Sequence, residues 1–493
     1  MGWLEMDKRH VAIVCIAIMY VMIATAMYSF MGVELTDDVK VFIGAGKQAL
    51  TISPHGGFMT NVDEAWELKP LGNRLLYYSI VLVTTALEVP TDIWLKIAAL
   101  SSLAIAAFAL SIETTRRLPE HAPIDVDIVF AVVILSMLTL ANLFFMQAEW
   151  WAVLFSFAVL WMLLSRSPAL MGFAGLLSIG IISLKLSTLL LIPSIFAAYV
   201  LLEGGNAYRK MAISYGVGFS AGLLCAMGWL IYLPHAIQDM ILSVQLAHAA
   251  KGVDISTFEG MNYLIFYVFD NIPNAPAVWL GIIALLIVIV FVLVIWIRQG
   301  APVSECSIRT VSVLTVLWGF PLVSILIQKE FFSYHYMVLI FPAVITLVLL
   351  IGNIRAPTKV IFATSAISIV FLIWLVMNSL WSPLYAQQDA FWKGTVNDSK
   401  NFQERYDLTG EILYLDIPSA TYYLNATSAC RMIGSLPIER KLTWTAEYTE
   451  NLACVQKYQG RYMVSKHGSG MPSLLPNYTK IEEGTSWDLY VRN

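Results

Sequence analysis

Charge is scarce in this chain. Asp, Glu, Lys and Arg make up 13% of its 493 residues, against 58% hydrophobic residues and a mean hydropathy of +0.71. Soluble domains carry roughly a quarter of their residues as charges, so most of this chain must be solvated by lipid, and the class is a polytopic membrane protein. Runs of basic residues are missing and the formal net charge is −4, which leaves no electrostatic footprint for nucleic acid. HExxH, paired CxxC, a P-loop and GxGxxG do not occur in any supporting context, so zinc-protease, nucleotide-hydrolase and dinucleotide-binding readings fall away. Cysteines number five, with Cys15 and Cys225 in apolar runs and Cys306 in a loop. Only Cys430 and Cys454 share a stretch that would meet an oxidising compartment, and the sequence leaves open whether they pair.

Lys and Arg give the apolar runs their order. Lys8-Arg9 puts the N-terminus in the cytoplasm. The runs 11–31, 93–113, 126–145, 151–165, 169–184, 187–202, 211–233, 277–297, 310–327, 336–352 and 360–380 then read as about eleven transmembrane helices. On that count Arg116-Arg117, Arg166, Arg209-Lys210, Arg298, Arg355 and Lys359 all fall on the cytoplasmic side, as the positive-inside rule requires. The apolar segment 71–89, with Arg74 and Tyr77-Tyr78 at one end, reads as an interfacial or re-entrant helix, the alternative being a further span. Ala24-Thr25-Ala26 looks like a cleavage site, but the run of 21 apolar residues before and around it is longer than a signal peptide uses, so a retained anchor is expected.

Two domains follow. Residues 1–380 form the transmembrane domain, with a first outer loop over 32–91 and a second long one over 234–276. From Trp381 charges return, and 381–493 reads as a small extracytoplasmic α/β domain. Glu411–Asp416 and Trp487–Arg492 have strand-like patterns, whereas Thr421–Asn425 and Tyr448–Val455 look helical or mixed. The location expected is a multi-pass protein of a plasma membrane, a prokaryotic one in preference to the endoplasmic reticulum.

Chemistry-bearing residues collect on the outer side: Asp37, Asp38, His55, Asp63, Glu64, Lys69, Arg74, Glu149, Lys185, Asp239, Lys251, Lys329 and His335. The cytoplasmic loops hold little beyond the topogenic charges. Thr36-Asp37-Asp38 is the sharpest feature, an acidic pair at the exit of the first span and at the start of Lys40–Lys47, which reads as a short helix lying at the membrane surface. A helix N-terminus favours ionised carboxylates there. Carboxylates alone would fit a proton relay or an ion site. Cations beside them point to a bound phosphate, which needs charge-assisted donors.

The order of Asp37-Asp38, Lys69-Pro70-Leu71, Glu149 and Gln328-Lys329-Glu-Phe-Phe-Ser-Tyr334-His335-Tyr336 resembles the C-type glycosyltransferase superfamily (GT-C), integral membrane enzymes that use lipid-phosphate-linked sugars. The relatives it is most similar to are the aminoarabinose- and protein-mannosyltransferase-like enzymes and others that use polyprenyl-phosphate mannose. The resemblance covers the eleven spans and, more loosely, the tail. It implies that Asp37 is the general base activating the acceptor, with Asp38 its partner and Glu149 positioning the acceptor. It implies a donor-phosphate site of Lys329, His335, Arg74, Lys69 and Lys185, and acceptor contacts from His55 and Tyr334. A Mg²⁺ or Mn²⁺ ion on Asp37, Asp38 and Glu149 is allowed and not required. The expected partners are a polyprenyl-phosphate sugar donor, a lipid, glycan or protein acceptor, and membrane lipid, with the oligomeric state open. The Trp-Trp-Asp signature of oligosaccharyltransferases is absent from the C-terminal domain.

Plain structural explanations compete at each position: an N-cap for Asp37, a snorkelling span end for Lys329, an interfacial histidine for His335. Two other classes compete for the whole chain. A secondary transporter or flippase would show internal repeats and broken helices. A non-catalytic lipid-binding assembly protein would not need Asp37.

Overall fold

The computed structural model describes residues 2–32, 35, 37–52, 70–118, 124–140, 146–203, 208–233, 235–241, 308–328, 333–352, 394–416, 419–424, 426–431 and 445–493, with isolated positions at 286, 289, 290, 293, 294, 364, 368, 371, 372, 438 and 443. The expected runs 277–297 and 360–380, and the residues His55, Lys69 and Lys329, lie outside the described residues or almost wholly so. Two compact units interleave along the chain. One takes Met1–Glu34, Leu95–Gly228 and Ala247–Leu380, and the other takes Leu35–Trp94, Trp229–Leu246 and Trp381–Asn493.

The first unit is helical. Its elements are α1 (Gly2–Gly32), most of α4 (Thr91–Thr115), α5 (Ile124–Leu140), α6 (Ala148–Leu164), α7 (Pro168–Leu184), a 3-10 turn Leu186–Leu190 running into α8 (Leu191–Glu203), most of α9 (Tyr208–Tyr232), α10 (Ile308–Gln328), and a second 3-10 turn Ser333–Leu339 leading into α11 (Ile340–Gly352). Among the described residues, six stretches are long and apolar enough to cross a membrane: His10–Gly32, Thr91–Thr115, Leu186–Glu203, Met211–Tyr232, Thr310–Gln328 and His335–Gly352. Two shorter apolar helices are Ala148–Leu164 and Pro168–Leu184. The chain is a multi-pass membrane protein. Composition explains which helices sit inside. Trp150, Phe157, Leu160, Leu163 and Leu164 of α6 are buried against neighbours, while α1 leaves Ile13, Val21 and Tyr28 exposed, as a lipid-facing helix does. Glycines let α7 and α9 cross closely, because a Cβ at Gly218 would run into the Gly172 carbonyl and one at Gly175 into the Tyr215 carbonyl.

The second unit contains α2 (Asp37–Ile52), α3 (Leu71–Ala86) and the C-terminal sheet domain. The segment expected to lie as a short helix at the membrane surface is a 16-residue helix packed among neighbours: Val39, Phe42, Ile43 and Ala49 are buried, and so is Lys40 at 1% exposure. Two glycines make this possible. A Cβ at Gly44 would collide with Thr421, and one at Gly46 would press tightly on Val81. The helix α3 has 16 residues, a rise of about 24 Å that falls short of a hydrocarbon core of roughly 30 Å.

In the sheet domain, β1 (Gly410–Leu415), the one-turn helix α12 (Ala420–Tyr423), β2 (Ala426–Ser428), α13 (Ala446–Lys457), β3 (Tyr462–Lys466), β4 (Tyr478–Glu482) and β5 (Trp487–Arg492) give a five-stranded sheet in the order β2-β1-β3-β5-β4. The β1 strand pairs in parallel with β2 and β3, and β5 pairs antiparallel with β3 and β4. Alternation supplies both faces: Ile412, Tyr414, Tyr462 and Val464 enter one core cluster, Leu413, Leu415 and Met463 the other. Cys430 and Cys454 are joined by a disulfide. The buried carboxylate of Asp398 accepts from the backbone N–H groups of Thr485, Ser486 and Trp487 and so fixes the start of β5.

Candidate active site

In the first unit, Glu149 lies in the first turn of α6, where the helix dipole favours an anion. Its side chain is completely buried, and an unpaired carboxylate there would cost several kcal/mol. Lys185, the extended residue between α7 and the 3-10 turn, donates from Nζ to Glu149 Oε1. His335, buried in the turn that precedes α11, brings Nε2 to 3.9 Å from the same oxygen, within reach of ion pairing and too far for a hydrogen bond. Three residues that the sequence placed in separate outer loops therefore meet at one end of α6, α7 and α11.

Buried polar atoms on α6, on the 3-10 turn after Lys185 and on α10 lack hydrogen-bond partners. Among the described residues, Gln147 Oε1, Glu149 Oε2, Trp150 Nε1, Ser187 Oγ and Gln328 Oε1 are buried without a hydrogen-bond partner. Each such atom costs roughly 1–3 kcal/mol, and native interiors show few of them. Gln147 is the N-cap of α6, and the residue before it, Met146, is held at φ 64°. A left-handed conformation at a non-glycine residue costs on the order of 1–3 kcal/mol and tends to mark functional sites. Ser187 and Gln328 are tied together through α10: Ser324 Oγ donates to the Ser187 carbonyl at 2.8 Å, and Gln328 Nε2 donates to the Ser324 carbonyl at 3.0 Å.

The second unit holds another charged cluster. Asp239 is buried between two arginines. Arg431 Nη2 lies 2.8 and 2.7 Å from its two oxygens, and Arg74 Nη2 lies 3.0 Å from Oδ2. Asp37 is the first residue of α2 and Asp38 the second, half-buried. Further along α2, Lys47 Nζ donates to the Tyr422 carbonyl at 2.8 Å and lies 4.9 Å from the centre of that tyrosine's ring. Burial lowers the Lys47 pKa, with Asp92 pulling the other way. Lys40 lies 5.2 Å from the centre of the Tyr423 ring.

Of the candidate site residues in the sequence, Glu149, His335 and Arg74 are buried and Lys185 is partly buried, and the structure brings Glu149, Lys185 and His335 together. The side chains of Asp37 and Tyr334 lie outside the described residues. Ser187, Gln328, Gln147 and Arg431 had been given no role. Gln328 opens the Gln328–Tyr336 motif, and Gln147 and Ser187 lie two residues from Glu149 and Lys185, yet none of the three carries a charge to draw notice; Arg431 adjoins Cys430, a usable signal. Among the described residues, His, Cys, Asp and Glu do not gather in threes as metal ligands.

No family model matches the chain, and no curated protein matches it. Among solved structures it is similar to an oligosaccharyltransferase of Archaeoglobus fulgidus in complex with Zn and sulfate, with a TM-score of 0.46 and 12% identity over 92% of this chain and 68% of that one. The apo form of that enzyme gives a TM-score of 0.42 and 10% identity over 93% and 69%. At these values the likeness carries no weight for function.

Proposed function

We infer that the chain is a GT-C-type inverting glycosyltransferase. It moves one sugar, mannose as first choice, from a polyprenyl-phosphate donor on the outer face of the membrane to a lipid-linked glycan, lipid or protein acceptor. The observation that carries this reading is the Glu149–Lys185–His335 cluster, together with the unsatisfied buried polar atoms on α6, on the 3-10 turn after Lys185 and on α10. A membrane protein that sets a lysine and a histidine around one carboxylate, and keeps acceptors and donors unfilled beside them, is equipped for a substrate that is at once anionic and hydroxyl-rich. A polyprenyl-phosphate sugar is such a substrate.

In the reaction, a carboxylate takes the proton of the acceptor hydroxyl, the role that the family resemblance gives to Asp37. The hydroxyl oxygen bonds to the anomeric carbon from the face opposite the lipid. The bond from that carbon to the phosphate oxygen breaks, its electron pair leaves with the phosphate, and the configuration inverts. Lys185 and His335, with Lys329 by the same resemblance, stabilise the charge that develops on the leaving phosphate. Glu149 keeps Lys185 in place.

The test is turnover by purified protein in detergent with a panel of polyprenyl-phosphate sugars, comparing wild type with Asp37→Asn, Lys329→Ala and Glu149→Gln. Asp37→Asn is expected to lose at least about 10²-fold in kcat, the usual share of a general base. Absence of transfer from every lipid donor, or full activity in Asp37→Asn, would overturn the mechanism. Chelation with EDTA followed by Mg²⁺ or Mn²⁺ addition, in the same assay, decides whether a divalent cation takes part.

A further inference from the structure

Resting on that reading, we propose that Gln328 and Ser187 form the wall that reads the hydroxyl groups of the transferred sugar and so set sugar specificity. Gln328 is the last residue of α10 and is 8% exposed. Its amide orientation is fixed, because Nε2 donates to the Ser324 carbonyl at 3.0 Å and a flipped amide would set two carbonyl oxygens against each other. Oε1 is thereby left as a buried acceptor without a partner among the described residues. Ser187 Oγ is likewise unpartnered, and its backbone carbonyl is held 2.8 Å from Ser324 Oγ. Ser324 therefore holds the Gln328 amide through its carbonyl and the Ser187 backbone through its hydroxyl, and Ser187 lies two residues beyond Lys185, whose ammonium reaches Glu149.

The chemistry of these atoms selects the ligand class. Gln328 Oε1 and Glu149 Oε2 can only accept from a donor, and Ser187 Oγ can do either. An anion placed on them would meet acceptors, and a second cation would be repelled by Lys185. A neutral group with several O–H donors fits, and the sugar of a polyprenyl-phosphate donor presents such groups next to its phosphate. A site that hydrogen-bonds a substrate hydroxyl rejects the analogue lacking it strongly, because its own polar groups are then stranded.

The experiment takes the donor that wild type turns over in the panel above, together with its monodeoxy analogues, and measures kcat/KM for wild type, Gln328→Met and Ser187→Ala in the purified full chain. Gln328→Met keeps the bulk and removes the acceptor. On the full donor it should lower kcat/KM by roughly 10²-fold or more. For one deoxy analogue, already poor with wild type, the substitution should cost nothing further, which identifies the hydroxyl that is read. Ser187→Ala gives the same pattern for a neighbouring position and decides the matter if Gln328→Met does not fold. Equal losses on every donor, or none, would mean that these atoms hold only water or support the fold, and would overturn the proposal. Wild type inactive with all lipid-phosphate donors would instead remove the transferase reading, and with it the sugar this wall would read.

Discussion

His467 shows how a single surface residue can report on the sheet domain. Its Nδ1 lies 3.0 Å from Asp488 Oδ1 and its Nε2 3.7 Å from Glu483, while Lys480 stands 3.6 Å from Asp488 on the other side. The hydrogen bond to Asp488 and that residue's charge raise the imidazole pKa above its ordinary value, and burial opposes them. Because the folded-state pKa is the higher one, the imidazolium's contribution to stability is complete below about pH 6.5, the ordinary histidine value. It is lost as pH rises through the folded-state pKa. In protein labelled with carbon-13 at histidine, the resonance that disappears in His467→Gln should titrate above the ordinary histidine range, and that elevation should vanish in Asp488→Asn. A midpoint at or below the ordinary value would contradict the assignment. The buried Glu149 teaches the complementary lesson. The sequence marked it as an acid at a span end, but its partner Lys185 is 36 residues away, and no local pattern encodes a contact of that separation.

Among the elements, the crossing of α7 and α9 makes the most exacting demand on sequence. Gly172, Gly175 and Gly218 bring backbone against backbone, and Gly216, two residues from Gly218, has open space where its Cβ would be. Gly218→Ala should therefore force the helices apart, at a cost of about 2–4 kcal/mol. Gly216→Ala should cost nothing or stabilise slightly, since alanine is the better helix former. Thermal melting of the two variants in detergent compares them directly, and equal melting temperatures would refute the close crossing. Elements of this kind were legible to different degrees. The long apolar runs declared their helices because burial in lipid needs no periodicity. The β1 and β5 strands were readable from Glu411–Asp416 and Trp487–Arg492. The β2 strand, three residues long, and β4, with exposed Thr479 and Lys480 between its ends, show too little alternation to be seen. The α2 helix was recognised as a helix, but its burial was not, since Lys40 and Lys47 read as surface residues until Tyr423 and Tyr422 are found beside them.

At the scale of the whole molecule, the change of composition at residue 381 coincides with a join between the two compact units, while the grouping of 35–94 and 229–246 with 381–493 depends on contacts that the sequence does not advertise. Asp239 gathers Arg74 and Arg431 from the two other segments of its unit. Beside Arg431, Cys430 accepts a hydrogen bond from Gln48 Nε2 at 3.3 Å and is bonded to Cys454, 24 residues on. Closing a loop of that size stabilises by about 3–4 kcal/mol in the chain-entropy account. Reductant, or Cys454→Ser, should therefore lower the melting temperature of the protein by several degrees, and a transition indifferent to reductant would show that the bond does not restrain the unit.

The interleaved units also set a timetable for biosynthesis. Lys47 is translated 375 residues before Tyr422, whose carbonyl its ammonium holds, and Gln48 waits 382 residues for Cys430. At some 5–20 residues per second, the α2 helix must exist for tens of seconds with its lysines and glycine-notched faces uncovered while several membrane helices are inserted after it. Whatever shields it in that interval, whether lipid headgroups, the insertion machinery or a chaperone, governs how much of the chain reaches the folded state.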